Sequence, residues 1–134
     1  MADAVTSQTI LDGDRLAIFK FTNISDGTGE TAVTKIDVST LARDQYNQAC
    51  TGCKINKVWA LTQGMSVRIL WDATTDVPCI IVPENQMYQM CFDEFGGLSN
   101  NAGAGKTGDV AFTTGGAASG DTYTIVLEVI KTYG

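Results

Sequence analysis

Hydrophobic residues in this chain recur at every second position, and glycine-rich turns cut the pattern into short pieces. Tyr123, Ile125, Leu127 and Val129 share one face of the C-terminal segment, against Thr122, Thr124, Glu128 and Thr132 on the other. Thr34, Ile36 and Val38 alternate with Lys35, Asp37 and Ser39, and Val67, Ile69 and Trp71 alternate with Ser66, Arg68 and Asp72. A period of two is what a half-buried strand imposes, because successive side chains leave opposite faces of the sheet. Residues 15–23, 57–62, 78–82, 86–92 and 110–114 read as further strands, which makes about eight in all. Asp12-Gly13-Asp14, Ser25-Asp26-Gly27, Gln63-Gly64 and Ser119-Gly120-Asp121 supply the tight turns between them. Only residues 39–47 have the makings of a helix, and their capping signals are poor.

Many short strands with such punctuation predict an all-β chain, a jelly-roll-like β-sandwich with Gly-rich loops. A length of 134 residues leaves room for one domain over 1–134. Within it, the weakly patterned residues 1–12 read as an N-terminal arm that orders on docking. Eight of the fourteen glycines fall between Gly96 and Gly120, where a long unpatterned connection predicts contact with a neighbour.

Charge narrows the function. Fifteen acidic residues against nine basic ones leave a net charge of -6, which argues against a nucleic-acid footprint and against a polybasic membrane surface. The sequence contains no histidine, so imidazole acid–base schemes and His-ligated metals are absent. The expectation is a protein that is not an enzyme and holds no cofactor. The longest apolar run, Cys79-Ile80-Ile81-Val82, is far too short to span a bilayer. No basic, apolar leader opens the sequence, which predicts synthesis in a cytoplasm, with reduced thiols.

Several local patterns suggest chemistry and are weaker than they look. Ala104-Gly105-Lys106-Thr107 ends like a phosphate-binding loop, but Asn100 stands where the pattern needs glycine, and a strand follows instead of a helix. Cys50-Thr51-Gly52-Cys53 with Cys79 and Cys91 suggests four thiolates, yet eleven residues separate the second pair and no second knuckle exists. The four cysteines read as small apolar core residues, with Cys50 and Cys53 the pair most able to oxidise because their segment is polar. Asp93 and Glu94 are adjacent and point to opposite faces, so they do not form an acid–base pair. Asp12, Asp14, Asp26 and Glu30 lack the spacing of a calcium loop. Trp59, Trp71, Tyr88, Tyr123 and Tyr133 offer a sugar-stacking platform or ordinary packing, and Trp71 continues a core face.

The wording of several segments resembles a family of small virion structural proteins of tailed phages. These are Arg15-Leu16-Ala17-Ile18-Phe19-Lys20-Phe21, Val67-Arg68-Ile69-Leu70-Trp71-Asp72-Ala73, Phe95-Gly96-Gly97-Leu98, Thr107-Gly108-Asp109-Val110 and Ser119-Gly120-Asp121-Thr122-Tyr123. The likeness covers most of the chain and is least over 44–56. It implies a bacteriophage head decoration (cement) protein, a homotrimer on the outer capsid surface that binds the major capsid protein and is made in the bacterial host cytoplasm. A tail, collar or fibre-base component and a carbohydrate-binding adhesion module are the alternatives. In the decoration role the contact residues are Ala2, Val5 and Thr6 in the arm, with Gly96, Gly97, Leu98, Asn100, Asn101 and Lys106 in the long connection. Gly115 and Gly116 complete the set.

Overall fold

The computed structural model describes residues 4–13, 15–92, 94 and 96–133. Among them nine strands form: β1 (Ala4–Asp12), β2 (Leu16–Ile24), β3 (Val33–Ile36), β4 (Cys50–Gln63), β5 (Ser66–Trp71), β6 (Val77–Val82), β7 (Met87–Cys91), β8 (Val110–Gly115) and β9 (Thr122–Tyr133). One sheet runs β1-β2-β9-β4-β7 and the other β3-β8-β5-β6, with every ladder antiparallel. The pairs β2·β9, β3·β8, β4·β7 and β5·β6 are those of a single long hairpin laid alternately into two sheets. The contacts β9·β4 and β8·β5 then join its two windings. That order is a jelly roll, as the strand spacing predicts.

Alternation places the core between the sheets. Phe19, Phe21, Val58, Ala60, Tyr123, Ile125, Leu127 and Val129 face Ile36, Val67, Ile69, Trp71, Ile80, Val82, Val110 and Phe112, and all are buried. Phe112 bridges the layers, with ring centroids 5.3 Å from Phe21 and 5.8 Å from Tyr123, both edge-on. Edge-to-face packing is the arrangement favoured by the ring quadrupoles.

Four expectations need correction. Residues 4–12 are not an unpatterned arm but a full edge strand paired with β2 from Ala4↔Ile24 to Asp12↔Ala17. The strand expected over 57–62 starts seven residues earlier, at Cys50. Register shifts between Cys50 and Gly52 and between Ile55 and Lys57 interrupt its alternation, so Ile55 and Asn56 are both buried although adjacent. Residues 39–47 form no helix beyond a 3-10 turn, Val38–Thr40, whose Asp37 side chain accepts the Ser39 N–H. The strand expected to include Val38 ends at Ile36 for the same reason.

The ladder β4·β9 runs from Cys50↔Tyr133 to Gln63↔Thr122 and measures the sandwich end to end. At about 3.3 Å per residue, its length is roughly 45 Å. One end, called the turn end, carries the β2–β3, β4–β5, β6–β7 and β8–β9 connections. The other, the loop end, carries β3–β4, β5–β6 and β7–β8.

Candidate functional site

The expected contact residues do not converge on one surface. Gly115 pairs with Ser66 at the turn end and exposed Gly116 follows it, while Val5 and Thr6 pair with Asn23 and Thr22 near the same end. The 96–106 group lies at the loop end, where Leu98 bridges to Ile55. Ala2 lies outside the described residues, as do Asp14, Asp93 and Phe95.

Strand β1 is unusual at every position. Residues 5–11 are all exposed, with Val5 at 40%, Ile10 at 52% and Leu11 at 44%. The five-stranded sheet is one strand wider than its partner, so residues 5–11 stay exposed on both faces, and the outer edge of β1 pairs with nothing among the described residues. Two other edges are blunted, β6 by Pro78 and β3 by its four-residue length, while β7 is exposed and uncharged but only five residues long. Strand β1 has neither proline nor lysine, and its one charge is the terminal Asp12.

The connection 96–108 folds against the sandwich instead of projecting from it. Ile55 and Leu98 exchange both backbone hydrogen bonds, at 3.1 and 2.7 Å. Ala102 is buried, and the Thr74 N–H donates to the Ala104 carbonyl. Gly97 is also buried, whereas Gly96, Asn101 and Lys106 are exposed and Asn100 is half-buried. Gly108 adopts φ +88°, and a Cβ there would lie 2.2 Å from the Thr51 carbonyl oxygen, so only glycine lets the loop approach β4 this closely.

Between that loop and the start of β4 lies a cleft of about 370 Å³, lined by Lys54, Ser99, Asn100, Lys106, Thr107 and Thr132 among others, and by no acidic residue among those described. Ser99 also lines a neighbouring cavity of about 320 Å³, with Trp71, Pro78, Cys79, Leu98 and Asn101. The indole N–H of Trp71 is fully buried and has no hydrogen-bond partner among the described residues.

The thiols gather at this end too. Cys50 and Cys53 are each 4% exposed on β4, which corrects the view of them as a polar, oxidisable pair; all four cysteines are free. Burial pushes the Cys53 thiol up to about 12, helped by the neighbouring Cys50, Cys79 and Asp109. Burial likewise lifts Cys79 to about 12. Such thiols carry almost no thiolate near neutrality and are poor nucleophiles. Cys91 is exposed on the edge strand β7, so the core reading fails there.

Carboxylates expected as solvated are engaged in structure. Glu30 accepts from the Tyr123 hydroxyl at 2.5 Å and the Asn23 amide at 3.0 Å and pairs with buried Lys35. Asp12 pairs with Lys131, whose ammonium also donates to the carbonyls of Gly13 and Ala42, each at 2.8 Å. Asp26 caps its own turn through the Thr28 N–H.

The aromatic platform is not assembled. Trp71 and Tyr123 are core residues, Trp59 and Tyr88 line a groove on the outer face of β4 and β7, and Tyr133 is at the loop end. Gly105-Lys106-Thr107 meets no helix, and the Thr107 hydroxyl donates to Asp72 at 2.7 Å. No protein-family model matches the chain, and no curated protein sequence matches it significantly.

Proposed function

We propose that this protein is a non-enzymatic virion component of a tailed phage, a head decoration protein that binds the outer capsid surface and stabilises the shell. The observation that carries the reading is β1: a nine-residue strand with one open edge, two uncovered faces and almost no charge. An edge of this kind is a template for strand addition, in which main-chain hydrogen bonds give affinity and alternate side chains give specificity. Val5 and Thr6 lie on it, and Gly115 and Gly116 lie near the same end of the sandwich. The major capsid protein supplies the incoming segment, with further copies of this chain as trimer neighbours. A ligand that binds only the assembled shell stabilises it by mass action, and lattice symmetry multiplies each contact. The net charge of -6 suits the outside of a shell better than its DNA-facing interior.

Copy number in purified virions tests the location. A ratio near one copy per major capsid protein is expected, and a handful of copies would place the chain in tail or collar. The edge itself is tested by Ser7→Lys with Thr9→Lys, which adds charge to exposed positions and leaves the β1·β2 ladder in place. At least a tenfold loss of shell binding is expected, with an unchanged melting temperature. Deleting residues 1–7 is a poorer test, because residues 4–7 already pair with β2. Unchanged binding by the charged variant would remove β1 from the account.

A further inference from the structure

We propose that the loop-end cleft is a binding site for a small phosphate ester of a polyol, with the phosphoryl group between Lys54 and Lys106. The inference is independent of the capsid reading, since it concerns the opposite end of the sandwich from Val5 and Thr6.

Charge is the first support. Lys35, Lys57 and Lys131 are in ion pairs, whereas Lys54 and Lys106 pair with no carboxylate among the described residues. These two come from different elements, β4 and the 96–108 loop, into one cleft with no acid among the described residues of its walls. The carboxylate behind this wall, Asp72, is engaged by the Thr107 hydroxyl at 2.7 Å. Two ammonium groups match the double charge of a phosphate monoester, and charge-assisted hydrogen bonds are the strong kind.

Neutral donors complete the shell. The Asn100 side-chain oxygen already accepts the Ala102 N–H at 2.9 Å, which leaves its NH2 as the open end. Ser99 brings a hydroxyl. Gly108 holds the loop against β4 where any side chain would collide with the Thr51 backbone.

The second support is the neighbouring cavity. Ser99 belongs to both walls, so the compartments adjoin. Trp71 is 0% exposed, and its indole N–H has no acceptor among the described residues. Trp71 therefore lends the cavity ring surface, while its indole nitrogen stays out of reach of a ligand atom. Trp71, Pro78 and Leu98 give that cavity an apolar wall and Asn101 a polar group, which suits the mixed surface of a polyol. The sequence hint at Gly105-Lys106-Thr107 thus points to phosphate by a different route, with no helix N-terminus.

The experiment is a titration of the full chain followed by amide and indole NMR signals, with inorganic phosphate, glycerol 3-phosphate and glycerol as probes. Both phosphates are expected to shift Lys54, Ser99, Asn100 and Lys106 saturably, while glycerol does not. Only the ester moves the Trp71 indole N–H, and it binds more tightly than phosphate. Lys54→Gln and Lys106→Gln each weaken binding at least fivefold and together abolish it, whereas Lys20→Gln changes nothing. Shifts that fail to saturate, or that survive in the double variant, overturn the site. An ester that binds no better than phosphate and leaves the indole unmoved overturns the two-compartment ligand. Loss of phosphate binding leaves shell binding through β1 untouched, so the two readings fail separately.

Discussion

The turn end and the loop end are built from the same strands and treat polar groups in opposite ways. At the turn end Glu30 gathers Lys35, Tyr123 and Asn23 into one buried set around its carboxylate. At the loop end the Lys131 ammonium is satisfied, yet among the described residues Lys54 and Lys106 meet no carboxylate where they line the cleft, and the Trp71 indole beside the neighbouring cavity has no acceptor. Closed networks fix a fold, and open donors around a cavity wait for a ligand. The difference follows from connection length. Short turns hold β8 and β9 close enough for side chains to complete one another, whereas the 92–109 connection has to bend back over β4.

The sharpest way to break this contrast is Glu30→Gln. Lys35 and Glu30 side chains are each 5% exposed, so neutralising one strands the other's charge. A loss of about 3–5 kcal/mol is expected in urea unfolding, with phosphate binding at the loop end unchanged in the folded fraction. Loss below about 1 kcal/mol would mean that water already reaches the pair.

Gly108→Ala comes next. It combines a positive φ with a Cβ that meets backbone, and a cost of about 3 kcal/mol is expected by thermal denaturation. The substitution also lifts the loop from β4, so phosphate binding falls with stability. Retained binding in a destabilised variant would separate the loop from the cleft.

Lys131→Met is expected to cost about 2–3 kcal/mol, because three acceptors lose their donor. Burial opposes the charge on Lys131, but Asp12 and Tyr133 outweigh it and hold its pKa above the usual lysine value. The raised value makes this contribution full below pH about 10.4 and lost as pH rises through the folded pKa. The buried thiols act earlier. From pH about 8.5 the unfolded cysteines release protons, while folded Cys53 and Cys79 keep theirs to about 12. The unfolded state then binds fewer protons, and stability falls with pH. Urea midpoints measured from pH 7 upward should decline, and Cys53→Ala with Cys79→Ala should flatten the first part of the decline.

The smallest effect sharpens the second. Gly120 has φ +93°, but a Cβ there would meet no atom within 4 Å, so Gly120→Ala should cost only the backbone term, about 1 kcal/mol. Equal losses at Gly108 and Gly120 would show that crowding against Thr51 carries no energy.

Legibility in the sequence tracked burial. Residues 122–132 and 66–72 were readable because one face of each strand is buried by the opposite sheet. Strand β1 was not, because with both faces exposed its side chains carry no period to read. The start of β4 was hidden by two bulges, the second of which turns the neighbours Asn56 and Lys57 both toward Glu128 on the outer face. At the sites, Lys106 was visible as a loop residue, but Lys54 gave no signal. Fifty-one residues of chain separate the two, and the Ile55–Leu98 bridge with the close approach of Gly108 to Thr51 brings the loop to β4.

By itself, then, the sequence determined the strands with a wet and a dry face, the turns that need glycine and the absence of imidazole chemistry, since each is a property of neighbouring residues. The tertiary structure alone decided which edge stays bare, which lysines meet and which indole loses its acceptor. Those depend on pairings between distant segments, where the width of one sheet against the other and the path of one long connection set what is covered.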